Sequence, residues 1–502
     1  MANKVTNTSL RFFSKAHIAF LSAIIVFSFF TDIQAKANEL YIGTTSVDIT
    51  PNFAVTLEGQ LYTRVARSAA TPIYANIVAI ETRSGGQSLD QTIFVSCDLV
   101  AVPYDLIAAV RIEVGKQLPG FDTKKIILSA IHTHTAPTFT DDFYELPKGV
   151  SPPSEFRKLF ARIVSAGVIK AWKERDKGSM SWALTSAVVA QNRRAVYADS
   201  TAIMYGKTNR DDFQNFEGYS DHNINTLFFW DAKGKLAATS IDVACPGQEV
   251  EHDSTINADY WHEVRLGLKK RFGNELVVLG WIGAGGDQSP HLMYMQKADE
   301  RMRKLTGETR KEAIARRIVN AVVEGYEAVK DDKYTDIVLA HKIETLALPM
   351  RVITEKEYIG IKKIRDDIAA KIKQNPALLG HDGPTMKWNT RALNRYEKQQ
   401  AEGIKKFDAE IHVLRIGDIA VATNEFELFT DYGLRIQARS KALQTFIIQL
   451  AGPGTYLPTA KAVFGGSYSA VAQSSVVGPE GGQVLVDRTV QLINQLWDEK
   501  SK

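Results

Sequence analysis

Short apolar runs alternate with helix-spaced segments along almost the whole chain, which confines it to a layered α/β or mixed α+β architecture. Runs at 73–81 and 91–102 read as strands around Ser84-Gly85-Gly86, and 103–118 has helical spacing before Pro119-Gly120. The run at 125–131 suits a buried strand, and a helix is expected over 153–173. Segments 225–230 and 236–244 form a hairpin across Asp231-Ala-Lys-Gly234, and 276–282 is another buried strand ending in glycines. From about 300 to 410 the composition shifts to Lys, Arg and Glu, and aliphatic residues continuing at helical spacing predict a helical insertion. A tight hairpin (410–415 and 419–423), a helix over 428–440, a strand at 445–450 and a helix over 483–498 close the chain. No sequence repeat or low-complexity tract interrupts the pattern, so one elaborated domain is expected over 38–502.

The first 37 residues differ from the rest. Arg11 and Lys15 precede an apolar run at 18–30, too short for a bilayer span of ~20 residues, and Ala35-Lys36-Ala37 is a small-x-small cleavage site. We read a cleavable export signal over 1–37 and a secreted or periplasmic protein with no integral membrane span after cleavage. The formal charge of +4 loses most of its excess with that segment, which gives no electrostatic case for nucleic acid. Of two cysteines, Cys97 lies in a strand-like run and is expected as a buried thiol.

Four segments combine reactive residues with the end of an apolar run. In Ser129-Ala-Ile-His-Thr-His-Thr-Ala-Pro137, strand geometry would turn His132 and His134 to one side, either as a metal site or as a hydrogen-bonded pair. In Gly280-Trp-Ile-Gly-Ala-Gly-Gly-Asp-Gln-Ser-Pro290 the glycines suit close backbone approach to a ligand or simply a tight turn, with Asp287 and Ser289 beside them. Cys245 to His252 brings a thiol, carboxylates and an imidazole together, and Asn424-Glu-Phe-Glu427 offers carboxylates between a strand and a helix. The chain has no His-Glu-x-x-His, paired Cys-x-x-Cys or GxGxxG, which disfavours common zincins, zinc ribbons and Rossmann enzymes, and the glycine segment is neither a P-loop nor a Gly-x-Ser-x-Gly elbow.

In this order the segments resemble the neutral/alkaline (non-lysosomal) ceramidase family, from Tyr41-Ile-Gly-Thr-Thr-Ser-Val-Asp-Ile-Thr-Pro51 to the C-terminal tyrosines. The most specific piece is Leu128-Ser-Ala-Ile-His-Thr-His-Thr-Ala-Pro137, close to the family's Ser-x-Thr-His-Thr-His-Ser-Gly-Pro. The resemblance implies a zinc amidase cleaving the N-acyl bond of a sphingolipid. It implies His132, Glu427 and Tyr456 as Zn2+ ligands, with His134, Arg193 and Tyr468 at the substrate carbonyl. Gly286-Asp-Gln-Ser-Pro290 resembles Gly-Asp-Val-Ser-Pro, making Ser289 the counterpart of the active-site serine and Asp287 its support.

Three departures accompany the resemblance. Where the family has its second metal histidine, counting back from Asp259 reaches Cys245, so this thiolate is expected as the fourth ligand, with His252 as the alternative donor and a three-coordinate or lost site as the remaining case. The chain ends too soon after Tyr468 for the family's C-terminal immunoglobulin-like domain of ~100 residues. The 300–410 region does not read as a lipid-interface helix. A small-molecule, lipid or glycan substrate therefore fits, and a carbohydrate-active hydrolase competes with the sphingolipid reading, Trp281 beside the glycine turn being part of its support. A binding protein on a decayed scaffold is the third reading, resting on Cys245.

Overall fold

The computed structural model describes residues 37–498. The expected export signal lies outside them except for Ala37. Among the described residues no helix is long and apolar enough to cross a membrane.

Three sheets of similar build carry the architecture. In the first, hairpin strands Tyr74–Ser84 and Gln87–Cys97 pair antiparallel, and helix Tyr104–Gln117 crosses to a parallel strand, Ile126–Ala130. Strand Glu39–Asp48 pairs antiparallel with the first hairpin strand, and helix Pro153–Lys173 follows. The second sheet repeats this with Ser179–Ser186, the hairpin Asn223–Trp230 and Leu236–Val243, helix Tyr260–Phe272, parallel strand Val277–Ile282 and helix Arg310–Val329. The third repeats it with Leu339–Pro349, Lys406–Ile416, Ile419–Thr423, helix Thr430–Arg439, parallel strand Gln444–Ile448 and helix Pro479–Asp498. The structure is thus internally repeated where the sequence shows no repeat.

Side chains alternate across each strand, and both faces are buried. Val78, Ile80 and Phe94 from the first sheet meet Leu227, Leu279 and Trp281 from the second and Leu414, Val421 and Phe446 from the third in one central cluster. The opposite faces pack on helices. Ile77 and Val95 meet Phe160 and Val164 of Pro153–Lys173, and Ile241 and Val278 meet Val264 and Ile318. Ile411 and Ala422 meet Leu485 and Ile493. Pro153 occupies the first turn of its helix, where its missing N–H costs no hydrogen bond.

Two expectations need correction. Trp281 is not a surface ring beside the glycine turn: it is buried against Phe94 and Phe446, because its strand is covered on both sides. The 300–410 region is not wholly an insertion. Its first long helix covers the second sheet and Leu339–Pro349 is an edge strand of the third, which leaves helices Glu355–Gln374 and Leu379–Glu402 as the added hairpin. That hairpin lies over the loops at 58–63 and 139–145: Thr63 N–H donates to the Gly380 carbonyl at 2.7 Å and Thr385 Oγ1 to Leu61 at 3.1 Å. Both cysteines are free thiols, buried in apolar surroundings.

Candidate active site

Corresponding loops of the three repeats meet at one end of the sheets. Strand Ile126–Ala130 stops before the His132-Thr-His134 segment, and His132 adopts φ +63°. The two histidines therefore leave the strand, yet their Nε2 atoms stand 3.3 Å apart with the rings edge to face. His132 Nδ1 donates to the Val100 carbonyl at 2.7 Å, and its Nε2 lies 3.3 Å from Glu427 Oε2. Glu427 and Tyr456 are neighbours across a short parallel ladder, which puts the carboxylate beside the phenol. Gly286 makes this possible: a Cβ there would fall 2.3 Å from the Glu427 carbonyl oxygen.

Arg193 spans the floor. Its guanidinium donates to Tyr456 Oη at 3.0 Å, the Gly286 carbonyl at 2.9 Å, and Tyr205 Oη and Gln248 Oε1 at 3.2 Å each. It is fully buried, and burial acts against its charge, but the neighbouring phenols of Tyr456 and Tyr205 and the Glu427 carboxylate keep it charged. Tyr468 packs edge-on against Tyr456, with Trp388 of the added hairpin on its other side. Burial holds both phenols protonated well above their usual range, the Arg193 charge acting in the opposite direction.

The wall beside His134 is polar, and sequence reasoning missed most of it. Glu251 Oε2 lies 3.4 Å from His134 Nδ1, and its Oε1 lies 3.2 Å from His291 Nε2. Burial opposes the Glu251 charge, but the His291 hydrogen bond and the His291 and Arg193 charges outweigh it and bring its pKa down to about 2. Gln60 Nε2 donates to the same carboxylate at 3.2 Å, and the Gln248 amide lies 2.7 Å from His134 Nε2. Burial and the neighbouring His132 push His134 well below the usual imidazole range, so it is neutral at neutral pH. Gly59, at φ +105°, lets the chain pass the ring, since a Cβ there would sit 2.4 Å from His134 Cγ. Nothing in the local sequence marks Gln60, Gln248 or Tyr205. Glu251 stood only within the reactive segment from Cys245 to His252, and His291 went unmarked.

The remaining expected residues are placed differently. Ser289 is buried, its hydroxyl 3.0 Å from Tyr205 Oη and accepting the His291 N–H at 3.0 Å. Asp287 accepts from Asn192 Nδ2 at 2.8 Å, Thr430 N–H at 2.9 Å and Thr430 Oγ1 at 2.7 Å, tying the residue before Arg193 to the segment after Glu427. The glycine turn's N–H groups are spent internally: Gly283 donates to Val243, Gly285 to Gln449 Oε1 and Gly286 to Leu428. Cys245 turns its sulfur into the apolar cluster of Ile131, Val243, Tyr260 and Ile282, and burial raises its thiol pKa far above the usual range. His252 is exposed beside Tyr62 Oη at 3.3 Å. Neither residue accompanies His132, Glu427 and Tyr456.

As the side chains stand, no three His, Cys, Asp or Glu among the described residues close around a point that could hold a metal ion. His132, Glu427 and the Tyr456 phenol nevertheless fit a cation in their chemistry, being a neutral-capable imidazole, a carboxylate and an oxygen donor steadied by a guanidinium.

No family model matches the chain, and no curated protein matches it in sequence. Two solved structures are similar in fold. The crystal structure of neutral ceramidase from Pseudomonas aeruginosa superposes with a TM-score of 0.65 at 15% identity, over 91% of this chain and 75% of that one. A ceramidase complexed with C2 gives 0.65 and 15%, over 92% and 75%. The chain therefore shares the mixed α/β fold of neutral ceramidase.

Proposed function

We propose that the protein is a zinc-dependent hydrolase of neutral ceramidase type, acting on an N-acyl amide bond. The observation that carries this reading is the convergence of His132, Glu427, Tyr456, Arg193 and Tyr468 from different repeats in one cluster of contacts. His132, Glu427 and Tyr456 would hold the ion. Zinc bound there would supply an acidified water and polarise the acyl oxygen.

The chain's own groups position the reaction. Arg193 keeps a positive charge beside the Tyr456 oxygen and so favours negative charge on it. Tyr468 offers a phenolic donor to an oxyanion forming in the pocket, at a site whose buried walls strengthen such a bond. Ser289 holds Tyr205, and through it the second edge of Arg193. The test is purified protein incubated with fluorescent ceramide. His132→Ala should lose both bound zinc and turnover, and full turnover by that variant would refute the proposal.

A specific observation supports a second reading, a hydrolase of polar glycans. Tyr205 and His291 also line a groove of about 560 Å³, together with Lys207, Asn209, Tyr294 and Gln296 and the apolar Leu292, Met293 and Met295. Its ammonium, amide and phenol groups can bond glycan hydroxyls and carboxylates. Cleavage of a glycan without detergent, with ceramide left intact, would select this reading.

A further inference from the structure

We propose that helix Gln296–Thr306 docks the protein on an anionic lipid surface, beside the groove that Tyr205 and His291 line. Docking of this kind needs no turnover, so it stands apart from the hydrolase reading.

Residues three and four apart share a face of a helix, and three such rows run along this one. Asp299 and Arg303 form the row against the protein. They pair with each other at 2.8 Å, and Asp299 also meets Arg310 at 3.2 Å and Arg317 at 3.6 Å, both from the helix that covers the second sheet. Ala298, Met302 and Leu305 form the second row, Lys297, Arg301 and Lys304 the third, and all six are exposed. The usual order is inverted. A surface helix packs its apolar stripe on the core and turns its charges outward. This one is tethered by ion pairs, buries none of its residues, and leaves Met302 53% and Leu305 66% exposed. Met295, just before it, is 71% exposed and sits at φ +59°, a conformation that strains a residue with a side chain. From sequence the charged stretch does not read as a lipid-interface helix; the Asp299 tether decides which row faces out.

The charges identify what covers the stripe. Lys297 and Arg301 form no ion pair among the described residues: Arg301 reaches only Met302 Sδ at 3.8 Å, and of this row Lys304 alone has a carboxylate, Glu300 at 2.7 Å. A row of cations beside an apolar row suits the boundary between anionic headgroups and acyl chains, where each row meets its own kind of partner. The same face of a second copy would instead bring cation against cation. Gln296 and Lys297 also line the groove of Tyr205 and His291, so a helix seated in lipid sets the rim of that groove at the interface.

Vesicle flotation tests this on protein purified after export. Wild type should bind phosphatidylcholine vesicles containing about 30% phosphatidylserine, and binding should weaken as salt rises from roughly 0.1 to 0.5 M. Lys297→Gln with Arg301→Gln should lower partitioning by about 30-fold, close to fivefold per cation. Met302→Ser with Leu305→Ser should lower it by about tenfold or more. Both pairs should melt at the wild-type temperature, since the replaced side chains are exposed. Wild type that fails to float with the anionic vesicles, or variants that float equally well, would overturn the proposal. A dimer abolished by Met302→Ser with Leu305→Ser in sedimentation would also overturn it, by assigning the stripe to a second copy. Anionic-vesicle binding by protein that cleaves no amide would uphold the docking and count against the hydrolase reading alone.

Discussion

The Arg193 guanidinium donates to the Tyr456 phenol at 3.0 Å, and no carboxylate among the described residues forms an ion pair with it. A fully buried charge is costly unless negative charge gathers nearby. The Glu427 carboxylate supplies part of that charge, and the guanidinium acts against the burial that holds the phenol protonated.

Replacing that guanidinium should damage turnover more than binding. Arg193→Lys keeps the charge but loses the fork that reaches Tyr456, Gly286, Tyr205 and Gln248 together. We expect kcat to fall by about 10²–10³, the usual loss for one removed transition-state donor. Steady-state kinetics on a fluorescent amide substrate measures it, and a change confined to KM would count against the role.

Ser289 should not be a nucleophile. Its hydroxyl is engaged by Tyr205 and by the His291 N–H. Ser289→Ala removes about 0.5–1.5 kcal/mol of hydrogen bonding, so activity should drop by roughly tenfold or less. A loss of several orders of magnitude, or an acyl-enzyme burst in the wild type, would contradict this.

Stability should fall as pH rises toward neutrality because of Glu425. Burial raises its carboxyl to about 7, with the Glu410 charge adding to the rise and the Tyr104 hydrogen bond opposing it. The folded pKa exceeds the unfolded value near 4.3, so the contribution is complete below pH ~4, is lost between about 4.3 and 7 at about 1.4 kcal/mol per unit, and is absent above 7. Glu425→Gln imitates the protonated acid. Thermal melts should show it stabilised by about 3 kcal/mol at pH 8.5 and unchanged at pH 4.

Trp281→Ala tests the central core. The indole is 1% exposed and packs against Phe94 and Phe446. Its removal should cost about 3–5 kcal/mol in denaturant unfolding, with no selective loss of glycan binding in the surviving folded fraction.

Much of the fold could be read from periodicity. The helix over 153–173 and the hairpin tips at 84–86, 231–234 and 417–418 lie where composition puts them, since turn chemistry and helical spacing are local signals. The repeat could not be read this way. Each sheet asks only for apolar residues on alternating strand faces, a demand that many sequences meet without resembling one another. Edge strand Leu339–Pro349 escaped notice because its outer positions are polar and its neighbours are helix-rich. In the site, His132, Glu427 and Tyr456 stood out as ligand-type residues in recognisable motifs. The orientation of Cys245 did not, because a one-residue change in where a strand ends decides whether a side chain meets the core or the pocket. Gln60 and Glu251 were hidden for a different reason: they matter through partners 191 positions apart.

The threefold build also bears on how competence arises. Each repeat's last strand joins its sheet in parallel only after a crossover helix; His132, His134 and Tyr456 lie beyond such a strand, Arg193 between the second repeat's first strand and its hairpin, and Glu427 just before the third repeat's crossover helix. The first repeat supplies the imidazole pair, the second the guanidinium, and the third the carboxylate and phenol. A nascent or nicked chain lacking any one of them would hold an incomplete set, so turnover would report full maturation of the polypeptide and no fragment would possess a weakened share of it.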